Sequence, residues 1–578
     1  MARAKIGTME ELRAKGCLTG KVGTQPVCVF WSEDRAYAVD DRCPHMGFPL
    51  HRGTVEDGLL TCHWHHARFD LASGGTLDPF ADDVRAHPVE IDSADVFVVV
   101  GSEPDRVGHH LHRLEEGLEQ GLTLVMAKAV LGLLEVLGLD EGAAAVVRTG
   151  MEFGIRNREP GWGAGLTVLT AMANVLPVLD PADRALALVH GLAFVSSDTR
   201  GRPPRFALAP LAAAPPADRL ADWYRRFVDT RNGDAAERVL ATAIASGTGS
   251  PQMAALMGAA VTDHVFVDGG HTIDFTNKAF EALDHLGGET AGEILTTLAH
   301  QTAAASRSEE TGSWRHPYDL PGLLAAARAP SGEEDAEAKR EFSGDDDVGR
   351  LAWAILGEEP AGILTTMFQA QQQGATPEEL ARAVAYAAAL RLTRFHVQND
   401  HADWDIVHHA FTTANAVHQM IRRAPTPELL RGAYQAAMKV FLDRFLNVPA
   451  ARPPGSHPLA GDPSTLSQLQ DCWDREGMVD EAGAIVYHWL RGGGDQTAVV
   501  AALGSALLAE DADFHWYQTY EAAVRQAGTW PTGSEEAALV LSGTSRFLAA
   551  HTPTRRELAQ VVRIAARLRR GEALYEEV

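Results

Sequence analysis

The stretch 43-CPHMGFPLHRGTVEDGLLTCHWH-65 contains four metal-ligating side chains in two short pairs. The first pair is Cys43 with His45, the second is Cys62 with His65, and sixteen residues separate the two pairs. Proline and glycine within and just after the first pair favour the tight turns that let each pair converge on one metal. The pattern therefore predicts a metal centre that is held by two thiolates and two imidazoles.

Two kinds of metal centre use this set of ligands. Zinc binds both cysteine and histidine, but structural zinc pairs are usually Cys-x2–4-Cys or His-x3–5-His, and Cys-x-His is unusual there. In a mixed 2Fe–2S centre, two thiolates hold one iron and two imidazoles hold the other. The spacing favours the iron–sulfur cluster over zinc.

The pattern Cys-x-His and Cys-x2-His, followed by 69-FD-70 and 73-SG-74, resembles a Rieske domain over roughly the first 105 residues. The resemblance implies a 2Fe–2S cluster bound by these two cysteines and two histidines, which would pass one electron at a time. His63 and His66 lie outside the motif, and we interpret them as bystanders or as groups that surround the ligands.

The residues beside the ligand pairs indicate the type of Rieske protein. Rieske proteins of respiratory complexes usually carry an additional cysteine beside each pair, whereas this chain has Phe48 and Trp64 there. The other cysteines are Cys17, Cys28 and Cys472, none of which is adjacent to the motif. The chain therefore resembles the soluble, ferredoxin-like or oxygenase-like type, which implies an external reductase or ferredoxin as the electron donor.

Composition narrows the class of protein. The chain has 578 residues, enough for about three or four domains. Its net charge of −26 would repel a phosphate backbone, so we do not expect nucleic acid as a partner. Five cysteines, at least two of them committed to metal, favour a reducing compartment. The start lacks a signal-peptide core and no apolar run is of membrane-span length, so we predict a cytoplasmic protein without a membrane segment.

The texture of the sequence changes after the first hundred residues. Residues 22–100 alternate apolar and polar side chains in short runs, which is typical of a small antiparallel β domain. Beyond them, apolar residues recur every three or four positions, which predicts helices. We predict an α+β multidomain fold, with a small antiparallel β Rieske domain followed by a large all-α body of repeated helical units. The predicted domains are 1–105, 106–330 and 346–578, and the acidic segment 329–347 is predicted to be a loop.

Two stretches of the helical region share the pattern His-x3-Asp-x2-His, namely 264-HVFVDGGHTIDFTN-277 and 401-HADWDIVHHAFTTAN-415. A much fainter third copy is 510-EDADFHWYQTYEAA-523. Residues at i, i+4 and i+7 share one face of a helix. We therefore predict a second metal site whose ligands are His264, Asp268, His271, His401, Asp405 and His408. Imidazole and carboxylate ligands suit non-haem iron, either mononuclear or dinuclear. Further candidate ligands are His409 and His418, whereas His190, His396 and His515 are interpreted as core histidines.

The duplicated motif also has a structural interpretation. Aligned Asp–His pairs can form buried hydrogen-bond networks, and Gly269-Gly270 weaken a helix in the first stretch. The iron site of an ordinary Rieske oxygenase is not implied. Asp405-x2-His408 matches the first part of that family's motif, but Thr413 or Ala414 occupies the place of the second histidine. The catalytic domain of that family is also largely a β-sheet fold.

The leading functional hypothesis is a redox enzyme, an oxidoreductase with oxygenase-like chemistry. The cluster would receive electrons from the external reductase or ferredoxin and pass them to the metal in the helical body, which would act on dioxygen or a small-molecule substrate. A Gly-x-Gly-x2-Gly fingerprint is absent from the sequence, so a nicotinamide or flavin site is not supported. Two alternatives remain open: a non-catalytic electron carrier whose helices form a docking scaffold, and a redox sensor.

Overall fold

The computed structural model describes residues 2–101, 105–311, 317–327, 342–457, 466–572 and 574. The acidic segment 329–347 lies largely outside these residues. The chain divides into two compact units, and the first draws on both ends of the sequence. The first unit is Met1–Gly150 with Leu558–Val578, and the second is Met151–Glu557.

The β-strands of the described residues all belong to the first unit. They are β1 (Ala2–Thr8), β2 (Cys17–Val22), β3 (Gln25–Ser32), β4 (Arg35–Asp40), β5 (Thr54–Glu56), β6 (Leu59–Thr61), β7 (Arg68–Asp70), β8 (Ala86–His87), β9 (Val89–Asp92) and β10 (Asp95–Val100). They form three antiparallel sheets with the strand orders β1-β10-β9, β2-β3-β4-β8 and β5-β6-β7. The last sheet, together with the loop after β4, carries the two predicted ligand pairs.

Strand β3 separates two hydrophobic cores because successive side chains of a strand point to opposite faces. Its Val27 and Val29 are buried in one core, and Cys28 and Phe30 are buried in the other. The second core also contains the side chains of Cys43 and Cys62. The first ligand of each predicted pair is thus anchored in the packed interior of the β domain.

The rest of the described chain is helical. The α-helices are α1 (Met9–Lys15), α2 (Arg106–Gln120), α3 (Thr123–Leu137), α4 (Leu139–Arg156), α5 (Ala164–Val175), α6 (Arg184–Thr199), α7 (Ala217–Asp229), α8 (Gly233–Ala245), α9 (Ser250–Thr262), α10 (His271–Leu286), α11 (Ala291–Leu295), α12 (Ala299–Ala304), α13 (Leu320–Ala327), α14 (Asp345–Ile355), α15 (Pro360–Gln372), α16 (Pro377–Thr393), α17 (His401–Arg423), α18 (Pro427–Leu442), α19 (Ser467–Trp473), α20 (Val479–Arg491), α21 (Gln496–Ala509), α22 (Phe514–Ala527), α23 (Glu535–His551) and α24 (Glu557–Arg569). Among the helices that the structure describes, we find none with the length and hydrophobicity of a transmembrane span.

Four helices form the part of the second unit that matters for its chemistry. Helix α17 packs against α10 and α22, and α5 packs against the same two helices. The three stretches that share the histidine pattern in the sequence supply α10, α17 and α22. The predicted fold class, a small antiparallel β domain followed by a large helical body, is confirmed. That the body consists of repeated units stays a prediction.

The first copy of the histidine pattern does not form the continuous helix that we predict. Helix α9 ends at Thr262 and α10 begins only at His271. Between them Asp268, Gly269 and Gly270 have φ values of 47°, 64° and 106°. These values lie in the left-handed region, which an α-helix of L-residues excludes and glycine tolerates. The prediction that His264, Asp268 and His271 share one face of a helix is therefore wrong.

Candidate functional site

The first ligand pair lies in a closed turn that follows β4. The amide of Cys43 donates to the carbonyl of Phe48 at 2.7 Å, and the amide of Gly47 donates back to the carbonyl of Cys43 at 2.7 Å. Gly47 has a φ of 82°, which a glycine adopts without strain. These bonds close the turn that carries Cys43 and His45.

The second ligand pair lies in a turn of the same design between β6 and β7. The amide of Cys62 donates to the carbonyl of Ala67 at 2.9 Å, and the amide of His66 donates to the carbonyl of Cys62 at 3.0 Å. His66 occupies the position of Gly47 and also has a positive φ, 62°. The backbone of this non-motif histidine thus closes the turn.

The two turns bring the four predicted ligands together. The buried thiols of Cys43 and Cys62 are hydrogen-bonded to each other, which raises the pKa of Cys43 and lowers the pKa of Cys62 to about 6. The imidazole rings of His45 and His65 lie 4.8 Å apart between centroids. Two thiols and two imidazoles side by side are the donor set of a mixed 2Fe–2S cluster.

The state of His45 fits a metal ligand. Its Nδ1 is buried and has no hydrogen-bond partner among the described residues, although a buried polar atom ordinarily has one. Burial lowers the pKa of His45 to about 4, so the imidazole is neutral and keeps a lone pair. His65, by contrast, is exposed at the protein surface.

Aromatic side chains occupy the places where respiratory Rieske proteins have additional cysteines. Phe48 and Trp64 face each other with ring centroids 6.1 Å apart. Trp64 also lies against His65 at 4.5 Å, and Phe80 lies against His45 at 4.9 Å. The loops around the ligands are thus held by ring packing, and all five cysteines are free of disulfides.

Comparison with known proteins agrees with this geometry. The family model of the Rieske [2Fe-2S] domain matches residues 2–88. The anthranilate 1,2-dioxygenase ferredoxin subunit of Burkholderia cepacia is 31% identical over 97 residues, which are 17% of this chain and 90% of that protein. The chain belongs to the Rieske family. A human Rieske domain-containing protein is 29% identical over 118 residues, 17% of this chain and 75% of that protein.

One solved structure is similar to the Rieske domain, the ferredoxin of carbazole 1,9a-dioxygenase from Nocardioides aromaticivorans IC177. It is 24% identical, with a TM-score of 0.17, and the match covers 18% of this chain and 100% of that one. The family match and the curated relatives show that the Rieske domain of this chain is homologous to the ferredoxin components of dioxygenases and is an electron-transfer domain. The family match lies within residues 2–88, and these relatives match 17% or 18% of the chain.

The second unit contains a separate group of histidines. His271, His409 and His515 each offer a ring nitrogen, and these nitrogens all lie within 4.8 Å of one another. Two of them, Nε2 of His409 and Nε2 of His515, are 3.2 Å apart. Nitrogens bound to one tetrahedral metal at 2.0–2.1 Å would be separated by roughly 3.3 Å. The spacing of this pair therefore fits two ligands of a single metal ion.

Hydrogen bonds engage the Nδ1 atoms of two of these histidines, His271 and His515. Nδ1 of His271 lies 2.9 Å from the backbone carbonyl of Asp268, and Nδ1 of His515 lies 3.3 Å from Oε1 of Gln518. An oxygen acceptor at Nδ1 requires a proton on that atom, and in the neutral form of such a ring the lone pair is on Nε2. Ligating histidines are ordinarily oriented in this way by a partner at the other ring nitrogen.

A fourth histidine, His408, is fully buried beside this group. Its ring lies 4.3 Å from that of His409 and 4.4 Å from that of His515. Neither of its ring nitrogens has a hydrogen-bond partner in the described part of the chain, and Oδ1 of Asp405 lies 3.5 Å from its Nε2. Burial and the neighbouring imidazoles hold the pKa values of His408, His409 and His515 below the ordinary value, so all three rings are neutral.

The structure revises the set of ligands predicted from the duplicated motif. His264 pairs with Glu309 at 2.7 Å instead, and the carboxylate of Asp268 is exposed, so neither side chain joins the histidine group. Asp268 contributes only its backbone carbonyl. The side chain of His401 lies outside the described residues. The candidate His418 bonds Gln526 at 3.2 Å in the core.

The histidine that sequence reasoning missed is His515, which we interpret there as a core histidine. Its only signal is the faint third copy of the pattern, in which it is the one histidine.

A layer of buried charged side chains follows farther along the same helices. Gln518 donates to the carboxylate of Asp274, and Nζ of Lys278 donates to Glu281 at 2.8 Å and to Glu521 at 2.7 Å.

Proposed function

We propose that the helical body holds one redox-active metal ion on Nε2 of His271, His409 and His515, and that the Rieske domain supplies it with electrons. The observation that carries the proposal is the meeting of Nε2 of His409 and Nε2 of His515 at 3.2 Å, within 4.8 Å of a ring nitrogen of His271 and beside the fully buried His408. Imidazole ligands suit iron, copper, nickel and zinc. The metal has to accept single electrons from the cluster, which excludes zinc, and of the redox-active metals we propose iron.

The arrangement supports a mononuclear rather than a dinuclear site. Three histidines are grouped, and Oδ1 of the nearby Asp405 lies 3.5 Å from Nε2 of His408, which is outside that group. A metal on three imidazoles keeps open coordination positions, which would admit dioxygen or a small-molecule substrate. His408 is placed either to complete the coordination or to accept a proton beside the metal.

The proposed electron donor is an external reductase or ferredoxin. The Burkholderia relative is, by its name, the ferredoxin subunit of a dioxygenase. In this chain the Rieske domain and the helical body are parts of one polypeptide. Such a fusion gives the donor and the acceptor a high effective concentration. We therefore propose an oxidoreductase with oxygenase-like chemistry.

The proposal is tested by the metal content of the purified full-length chain. We expect iron beyond that of the 2Fe–2S cluster, with acid-labile sulfide accounting for the cluster alone. His515→Ala should remove the additional metal, and activity should fall by at least about 10-fold because a ligand is lost. The visible spectrum of the Rieske cluster should be retained, since the cluster ligands belong to the other unit.

His264→Ala is the matched control because His264 carries the same side chain in the same unit and lies outside the histidine group. It should keep the additional metal. A wild-type chain that holds only cluster iron, with no other metal in stoichiometric amount, would contradict the proposed site. The non-catalytic electron carrier with a helical docking scaffold would then be the better hypothesis.

A further inference from the structure

The helices that follow the Rieske domain reach its ligand loops. Helices α2 and α3 lie beyond residues 2–88, the part that the family model matches. From α3, Nζ of Lys128 donates to the carbonyl of Pro44 at 2.6 Å and to the carbonyl of His45 at 2.7 Å. The Lys128 side chain is 12% exposed. A largely buried ammonium group therefore contacts the backbone of a cluster ligand.

A second buried cation holds the neighbouring loop. Arg113, on α2, donates to the carbonyls of Pro79 and Ala81 at 3.1 Å each and to the carboxylate of Asp82 at 2.6 Å. Phe80, in the middle of this loop, is the residue whose ring packs against His45. The pair of helices α2 and α3, which we call the helical hairpin, thus contacts both loops beside His45. Lys128 of α3 binds one loop, and Arg113 of α2 binds the other.

The charge of Lys128 is only partly balanced. Oδ2 of Asp82 lies 4.0 Å from Nζ, at the limit of an ion pair, and the other oxygen of that carboxylate is bound by Arg113. Lys128 and Arg113 together face Asp82 and Glu116, and Glu116 contacts Arg113 rather than Lys128. The two hydrogen bonds to carbonyl oxygens direct the ammonium towards the turn that carries Cys43 and His45.

Such a charge has a defined effect on a redox centre. Reduction adds one negative charge to the cluster, and a nearby cation stabilises the reduced form more than the oxidised form. The interaction is strong at a buried site because the local dielectric constant is low. Hydrogen bonding, net charge and burial around an iron–sulfur cluster are the means by which a protein sets its reduction potential.

We propose that Lys128 is a positioning residue for the Rieske cluster, which fixes the turn of Cys43 and His45 and raises the reduction potential of the cluster. The proposal concerns the first unit alone and does not depend on a metal in the second. It assigns a redox role to a helix that is not part of the Rieske family match.

The test compares three variants of the full-length chain by redox titration of the reduced-cluster EPR signal. Lys128→Met removes the charge and keeps the length of the side chain, and Lys128→Arg keeps the charge. Lys21→Met is the control, because Lys21 is an exposed lysine of β2 in the same domain. Iron and sulfide content report whether each variant carries the cluster.

We expect the midpoint potential of Lys128→Met to shift to a more negative value. The potentials of Lys128→Arg and Lys21→Met should stay near that of the wild type. If Lys128→Met does not assemble a cluster, Lys128→Gln replaces it with the same expected shift. The proposal is overturned if the midpoint potential of Lys128→Met equals that of Lys21→Met. It is also overturned if the potential of Lys128→Arg shifts as far as that of Lys128→Met, since the charge would then have no role.

Discussion

At the scale of single residues, the buried histidines beside the two candidate metal centres carry the most information. His45 and His408 each have a buried ring nitrogen without a hydrogen bond in the described structure. An unsatisfied buried polar atom costs about 1–3 kcal/mol, and a bound metal would offset that cost at these two side chains. Lys278 shows the opposite case, a buried ammonium held by two carboxylates.

A pH-dependent effect on stability is expected from Asp274. Burial raises the pKa of this carboxyl group from 3.8 to about 7, while Lys278 lowers it and Glu281 and Glu521 raise it. The folded state therefore holds a proton that the unfolded state releases between these two values. Stability from this group is present at low pH and is lost as pH rises towards 7.

The measurement is the free energy of unfolding of the wild type and of Asp274→Asn between pH 5 and pH 8. Over this range the wild type should lose on the order of a few kcal/mol relative to the variant. The variant keeps an amide that can pair with Gln518, so it should fold. Parallel curves for the two proteins would show that Asp274 is ionised in the fold throughout.

At the scale of elements, the start of α10 decides where His271 lies. Residues 268–270 have a left-handed backbone conformation, and α10 begins directly after them, at His271. The carbonyl of Asp268 then accepts a hydrogen bond from the ring of the same histidine. A break that looks like a defect in a helical motif therefore orients the proposed ligand.

Gly270 and Gly269 provide a matched pair of substitutions at this break. A Cβ on Gly270, whose φ is 106°, would lie 2.1 Å from Oγ1 of Thr413 on α17. A Cβ on Gly269, whose φ is 64°, would meet nothing within 4 Å. Gly269→Ala should cost about 1–2 kcal/mol for its left-handed backbone, and Gly270→Ala should cost at least about 1–3 kcal/mol more because of the overlap.

Thermal or denaturant unfolding of both variants checks this prediction. Gly270→Ala should also weaken the binding of the proposed metal ion in the helical body, because a displaced α10 would move His271. Equal stabilities for the two variants would mean that α10 and α17 are not packed as closely as described.

At the scale of the whole molecule, the first unit extends beyond the Rieske domain. It takes in α2, α3 and most of α4, and it includes the carboxyl-terminal α24. Nη2 of Arg42 donates to the carbonyl of Glu572 at 2.8 Å, directly beside the first ligand loop. Both ends of the chain thus contribute to the surroundings of the cluster, and the predicted limit at residue 105 does not coincide with the limit of the compact unit.

Two amino-terminal fragments separate the Rieske domain from its helical support. A fragment of residues 1–105 retains all four ligands and should bind a cluster, since relatives of similar extent are ferredoxin subunits. A fragment of residues 1–157 adds Arg113 and Lys128. We expect its thermal midpoint to be higher by about 5 °C or more, which corresponds to roughly 1 kcal/mol in a domain of this size. Identical midpoints would show that the hairpin adds no stability.

The amino-acid sequence by itself determined the features that depend on neighbours along the chain. Each ligand pair lies within one turn, so the spacing of Cys43, His45, Cys62 and His65 is enough to predict the cluster. The helical texture of the body follows from local periodicity in the same way. Even the break before α10 is visible as two successive glycines.

Only the tertiary structure decided which distant residues meet. His409 and His515 are 106 residues apart, and Lys128 is 83 residues from the carbonyl that it binds. Periodicity shows which face of a helix is buried but not which other helix covers it, so a duplicated motif led to His264 and Asp268 rather than to His515. Asp268 acts through its backbone, which no pattern of side chains can report. Convergence of this kind arises from packing, because packing alone brings separate segments within hydrogen-bonding distance.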